Sequence, residues 1–224
     1  MKFYDFLNEA KSAKKENQEK IAKDCKLYLN LLSKHNIVEP FFRGISRSKS
    51  DEVFDMKTVR KNRVPKAMDK QVFEEINEML EEEGYARRDR SVIATSHFEW
   101  TKIFGIPHMF FPIGKFKYTW VKSFDFNSLK GKSGISKNLE SFLRGQYFDE
   151  DKGEIITFDD FSDEFIEDAL EELKKYIFKN KGISVAHDKK YEIWFECDKY
   201  YVVRMGENDK ADSQIYLKEL MEML

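Results

Sequence analysis

Thiols are nearly absent from this 224-residue chain: Cys25 and Cys197 are the two cysteines, far apart and in no metal-like spacing. Nothing suggests a disulfide framework, and a reducing compartment is the expectation. Histidine is almost as scarce at four residues, with no HExxH and no carboxylate–histidine cluster, so no metal is expected. No apolar run approaches the roughly 18 residues needed to span a bilayer, and Met1-Lys2-Phe3-Tyr4-Asp5 lacks the apolar core of a signal. These absences predict a soluble, cytoplasmic protein with no membrane partner. Net charge is lacking too. The 39 Lys and Arg against 41 Asp and Glu leave −2, so no global field draws the chain to nucleic acid, and such binding needs a local patch. There is no P-loop, GxGxxG or GxSxG. Gly131-Lys132-Ser133 has Phe126 where a P-loop carries its first glycine.

What is present is core-forming material. The chain is 41% hydrophobic and 15% aromatic, ample for one domain of ordinary size, and 36% charged, which gives a densely charged surface. Leu7, Ala10, Ala13, Ile21, Cys25, Leu29 and Leu32 recur at helical spacing and predict a helical segment over residues 1–36, packed on a single α+β domain over 37–224. Val38–Ile45 reads as a first strand, Asp69 as the cap of a helix to residue 83, and Ser91–Ser96 as a second strand. Met109–Ile113 and Phe116–Lys122 read as a pair around Gly114-Lys115, with Pro112 suggesting an edge or bulge. Ser162–Lys179 reads as a helix, Tyr191–Glu196 and Tyr200–Arg204 as a hairpin, and Asp212–Leu224 as a final helix.

Three segments carry candidate chemistry. Pro40-Phe41-Phe42-Arg43-Gly44-Ile45 embeds one arginine in an apolar run. A buried guanidinium needs an anion, and its planar fork of donors suits phosphate or carboxylate. Gly44 leaves room for a ligand to approach the backbone. An internal salt bridge is the competing reading. The second segment is Ile93-Ala94-Thr95-Ser96, ending a strand in hydroxyl residues. The third is Glu192-Ile193-Trp194-Phe195, an apolar strand led by a carboxylate.

In that order, these segments resemble the ADP-ribosyltransferase fold, in the branch marked by arginine, serine-threonine-serine and glutamate. The resemblance spans roughly residues 38–204 and rests on about a dozen of them. It implies an α+β fold with a split mixed or antiparallel sheet, flanking helices and an N-terminal helical addition. It also implies NAD as substrate, with Arg43 and Gly44 on the phosphates, Thr95 and Ser96 lining the nicotinamide pocket, and Glu192 as the catalytic carboxylate. Such a carboxylate stabilises positive charge developing on the ribose as the N-glycosidic bond breaks. Phe98, Trp100, Phe104, Phe110, Phe111 and Tyr118 offer stacking surface, although most of them are expected to be core.

Two positions depart from the pattern. Ala94 stands where the first serine would orient the glutamate, and Lys190 stands where arginine-modifying members carry a second acid. Modification of arginine is therefore not expected. The expected activity is mono-ADP-ribosylation of a protein or nucleic-acid acceptor, led in by the basic segment Arg60–Lys66, with Arg47, Lys49 and Arg87-Arg88-Asp89-Arg90 nearby in sequence. The alternative is a non-catalytic protein of the same type that captures a nucleotide, nucleic acid or host protein. Glu196 shares a strand face with Glu192 but lies about 13 Å along it, too far to act on the same atom. Composition rich in Lys, Asn, Phe and Ile is compatible with an AT-rich genome, such as that of a bacterium or its phage, and so with action in a host cytoplasm.

Overall fold

The computed structural model describes residues 3–46, 53–63, 68–205 and 210–224, with side chains described for these except 3–13, 210 and 211. The predicted apolar positions Leu7, Ala10 and Ala13 therefore lie outside the described side chains. The fold is mixed α+β with antiparallel sheets. The chain builds two compact units by visiting each more than once: Met1–Val59, Ala94–Phe116 and Cys197–Leu224 form the first, and Arg60–Ile93 and Lys117–Glu196 the second. The boundary expected near residue 36 is thus not where the backbone divides.

In the first unit, the helical segment expected over residues 1–36 is two helices, α1 (Phe3–Asp24) and α2 (Lys26–Lys34), which meet at Cys25. Strands β1 (Phe42–Ile45), β2 (Phe54–Thr58), β4 (Ile106–Pro112) and β10 (Lys199–Arg204) form a sheet in the order β1-β4-β10-β2. The C-terminal helix α8 (Lys210–Glu222) packs on α1 and α2. The helical layer meets the sheet through Tyr28, whose ring lies edge-on to Phe111 at 6.2 Å, and through the Tyr201 hydroxyl, which donates to Asp24 at 2.7 Å. Tyr28, Leu29, Leu32, Phe111 and Leu217 are fully buried, each contributing roughly 1.5–3 kcal/mol. The short helix α4 (Phe98–Thr101) and the 3₁₀ turn Lys102–Phe104 pack on β1.

In the second unit, β3 (Ser91–Ala94), β5 (Lys117–Val121), β8 (Ile177–Lys179) and β9 (Ile193–Glu196) form a sheet in the order β3-β9-β5-β8. Helices α3 (Lys70–Glu82), α5 (Lys137–Arg144) and α6 (Asp163–Leu173) supply Val72, Ile76, Leu80, Leu139, Phe142, Ala169 and Leu173 to a core that also holds Phe126 and Trp194. Asp69 caps α3 as predicted, accepting from the Gln71 and Val72 amides. Helix α7 (Ile183–Asp188) packs on β5, where Trp120 stacks on Phe178 at 4.2 Å. A separate hairpin, β6 (Gln146–Asp149) with β7 (Glu154–Thr157), completes the unit.

Both hairpins expected from sequence adjacency are corrected here. β4 and β5 belong to different sheets, as do β9 and β10. At the first junction the Ile113 amide donates to the Lys199 carbonyl and the Gly114 amide to the Asp24 carbonyl, which ends β4 inside the first unit. At the second, the Asp198 carbonyl accepts from the Val59 amide. The turns that look like hairpin loops are where the chain leaves one unit for the other. Pro112 does not mark an edge strand: β4 lies between β1 and β10, and Pro112 sits beyond the last β4 residue in register with β1, where its missing N–H is not required. The helix expected to run to residue 179 stops at Leu173, because Ile177–Lys179 pairs with β5.

Candidate functional site

Arg43 lies on β1 opposite His108 of β4, and His108 lies opposite Arg204 of β10. Residues directly opposite in register share a face, so Arg43, His108 and Arg204 form a row across three strands. With strands about 4.8 Å apart, the two arginines start about 10 Å from each other. The Arg43 guanidinium carbon stands 5.9 Å from the centre of the Tyr200 ring, a cation–π contact on the same face. His108 is buried, and its Nδ1 donates to the Ile106 carbonyl at 2.8 Å. Burial, with Arg204 and Lys57 adding to it, holds the imidazole below its ordinary 6.5, while Asp55 and the Ile106 carbonyl act against that.

Those surroundings carry a prediction with a definite sign. A histidine that titrates lower when folded contributes stability that is present above the unfolded value and lost as pH falls. Unfolding by urea should therefore become easier as pH drops below 6.5, and His108→Asn should flatten that slope. An unchanged slope in the variant would assign the acid sensitivity elsewhere.

Gly44 follows Arg43 for a reason other than ligand access. A Cβ built there would meet the Thr101 carbonyl oxygen at 2.3 Å and the Phe104 Cβ at 2.8 Å. The 98–104 turn fills the space the sequence reading left for a ligand. Phe98 packs edge-on to Phe42 at 5.3 Å, Trp100 meets Phe104, and Phe110 and Phe111 are buried, so most of the expected stacking surface is spent on packing.

Thr95 and Ser96 are both buried. Thr95 exchanges two backbone hydrogen bonds with Phe42, at 2.7 and 3.0 Å, which ties the end of the hydroxyl motif to the arginine strand. Its Oγ1 accepts from the His97 amide at 3.1 Å, and His97 Nδ1 caps the following helix by accepting from the Trp100 amide. β3, which runs directly into Thr95, lies beside β9 in the sheet of the second unit.

Glu192 immediately precedes β9 and is only 5% exposed. Its Oε1 accepts from the Trp194 indole at 2.5 Å and its Oε2 from the Phe126 amide at 3.1 Å. Arg88 brings its Nε to 3.6 Å, longer than a hydrogen bond, and among the described residues that Nε has no hydrogen-bond partner. The Arg88 guanidinium is caged by Phe126, Trp194 and Phe73, with its central carbon 5.2, 5.8 and 5.9 Å from their ring centres. Burial raises the Glu192 carboxyl above the ordinary carboxylate range, and nearby Asp125 adds to this; Arg88, the indole and the Phe126 amide oppose it. The carboxylate thus points into the unit's aromatic core, with its oxygens already engaged.

The basic segments are partly neutralised. Arg87 is paired with Asp89 and Glu81, and Arg90 with Glu81 at 3.1 Å. Arg63 donates to the Ser91 carbonyl at 3.0 Å. Arg47 and Lys49, and residues 64–66 of the basic segment, lie outside the described residues. Glu196 accepts from the Arg87 amide and pairs with Lys117. Cys197 is buried. Among the described residues no group of three or more His, Cys, Asp or Glu side chains is placed to hold a metal ion. None of the described helices is long and apolar enough to cross a membrane.

Sequence reasoning missed Arg88 and His108. Arg88 read as one charge in an Arg-Arg-Asp-Arg run, where nothing local distinguishes the member that meets Glu192 from those that pair with Glu81 and Asp89. The signal for His108 was its place inside an apolar strand. Comparison with protein-family models, with curated proteins and with solved structures finds no match to this chain.

Proposed function

We propose that this chain is a non-catalytic binding protein of ADP-ribosyltransferase type, which captures a phosphate-bearing ligand of the nucleotide class at the Arg43–His108–Arg204 row. One observation carries the choice of binding over catalysis: Glu192 is buried, bonded to Trp194 and Phe126, and accompanied by Arg88. A carboxylate must reach the ribose to stabilise charge developing on it. Two guanidiniums flanking one histidine on a shared sheet face suit the spread charge of a diphosphate. Support for the frame is the succession of motif segments, with Phe42 beside Arg43 bonded to Thr95, and β3 neighbouring β9.

Calorimetric titration with NAD, ADP-ribose and a short DNA duplex tests the reading. Saturable binding of the nucleotides is expected, weakened about tenfold or more in Arg43→Gln, a loss within the 1.5–3 kcal/mol range of a charge-assisted hydrogen bond. Labelled NAD should release no nicotinamide.

A second reading is kept because Thr95 bonds to Phe42 beside Arg43, and β3 lies beside β9. It makes the protein an NAD-dependent ADP-ribosyltransferase with Glu192 catalytic, Arg43, Gly44, Thr95 and Ser96 around NAD, and a protein or nucleic-acid acceptor brought in by Arg60–Lys66. Nicotinamide release by the wild type, abolished in a folded Glu192→Gln variant, would replace the first reading with this one.

A further inference from the structure

The β6–β7 hairpin presents an apolar pair to solvent. Phe148 and Ile155 are opposite each other in register, and each is 61% exposed. The alternate residues Tyr147 and Ile156 point the other way: Ile156 is buried, and the Tyr147 ring stacks on Phe165 at 5.8 Å and lies against Phe161. The inner face already holds the hairpin in place, so Phe148 and Ile155 are not needed for its packing. A phenylalanine and an isoleucine placed outward on a two-stranded sheet leave apolar area in water that a partner can cover.

The stretch of chain that contains the hairpin is strongly one-sided in charge. Residues 149–172 carry twelve carboxylates and one lysine, in a chain whose total is only −2. Among the described residues, only Asp149 and Glu171 of those twelve sit in ion pairs. Such a field repels a second copy bringing the same face and attracts a cationic surface. Among the described residues the hairpin is also a sheet of two strands by itself, the kind of edge to which an extended segment can add.

We propose that the outer face of β6–β7 docks a basic polypeptide segment of another protein, one that alternates cationic with aliphatic side chains. The aliphatic side chains would cover Phe148 and Ile155, while the cations meet Glu150 and Asp151 of the hairpin turn and Asp160 beyond β7.

The probe is a short fluorescent peptide alternating lysine with valine, titrated with the full chain and followed by anisotropy at low and high salt. A control peptide carries glutamate in place of lysine. The expected result is saturable binding of the lysine peptide only, weakened by salt, and weakened about tenfold in the double variant Phe148→Ser/Ile155→Thr, as loss of a central apolar anchor does. The variant's melting temperature should stay at the wild-type value, since both side chains face water. Three results would each overturn the proposal: equal affinity in wild type and variant, no saturable binding, or a wild-type dimer in sedimentation that the variant abolishes.

Discussion

Gly105→Ala is expected to lower the melting temperature by roughly 6–12 °C, which corresponds to about 3 kcal/mol in a chain of this size. Two independent penalties act at this residue. Its φ is +137°, a backbone region that residues with a Cβ rarely adopt. A Cβ there would also stand 2.2 Å from the Ile45 carbonyl oxygen and 2.4 Å from the Ile45 carbonyl carbon, both backbone atoms that no rotamer change can move. Gly44→Ala should cost somewhat less. Its clash with the Thr101 carbonyl oxygen is as close, but no positive φ is involved. Both glycines lie where β1 and the 98–105 segment approach closely. Thermal unfolding of the two variants checks the claim, and a wild-type melting temperature in Gly105→Ala would mean that the backbones can separate at little cost.

Arg88→Met is expected to destabilise the protein by about 3–5 kcal/mol at neutral pH and by less at acidic pH. Removing one member of a buried pair leaves the other charge uncompensated. Glu192 can escape that penalty by taking up a proton, and burial already raises its carboxyl above the ordinary 4.5. The sign follows directly. A carboxyl that titrates higher when folded contributes stability that is present at low pH and lost as pH rises through its folded value. Without Arg88 to oppose it, that loss should steepen above pH 4.5. Glu192→Gln removes the charge and keeps one acceptor oxygen, enough for either the Trp194 indole or the Phe126 amide, which bond different oxygens of the carboxylate. The double variant Arg88→Met/Glu192→Gln should therefore recover part of the stability, short by the one donor left unsatisfied, and lose the pH dependence. Urea titrations of the three variants across pH decide the matter: a pH-independent loss in Arg88→Met would show that Arg88 matters through packing against its three rings alone. The slope has the opposite sign from that of His108, so the two groups can be separated in one pH series.

Many elements were legible in the sequence because their signals are local. Asp69 before Val72, Phe73, Ile76, Met79 and Leu80 defined the start and face of α3. Ser162 with the acids after it defined α6. The arginine strand, the hydroxyl strand and the late apolar strand all form near their expected positions. Partner choice between strands was not legible. Short turns between strands make a hairpin the natural expectation, yet Gly114 and Asp198 bond to residues far away in the chain, and both turns carry it from one sheet into another. The candidate site shows the same limit. A glutamate leading an apolar strand reads alike whether its carboxylate faces a ligand or a core, and a glycine after an arginine reads alike whether a nucleotide or the Thr101 carbonyl fills the space.

The sequence by itself determined the α+β composition, the helix caps and faces, and the one-sided charge of residues 149–172, because capping, periodicity and charge are properties of neighbouring residues. Only the tertiary structure decided which strands pair, that Arg88 accompanies Glu192 within an aromatic core, and that Arg43, His108 and Arg204 fall in one row. The physical reason is that burial and register come from segments distant in the chain meeting, and no window of residues records which distant segment will arrive.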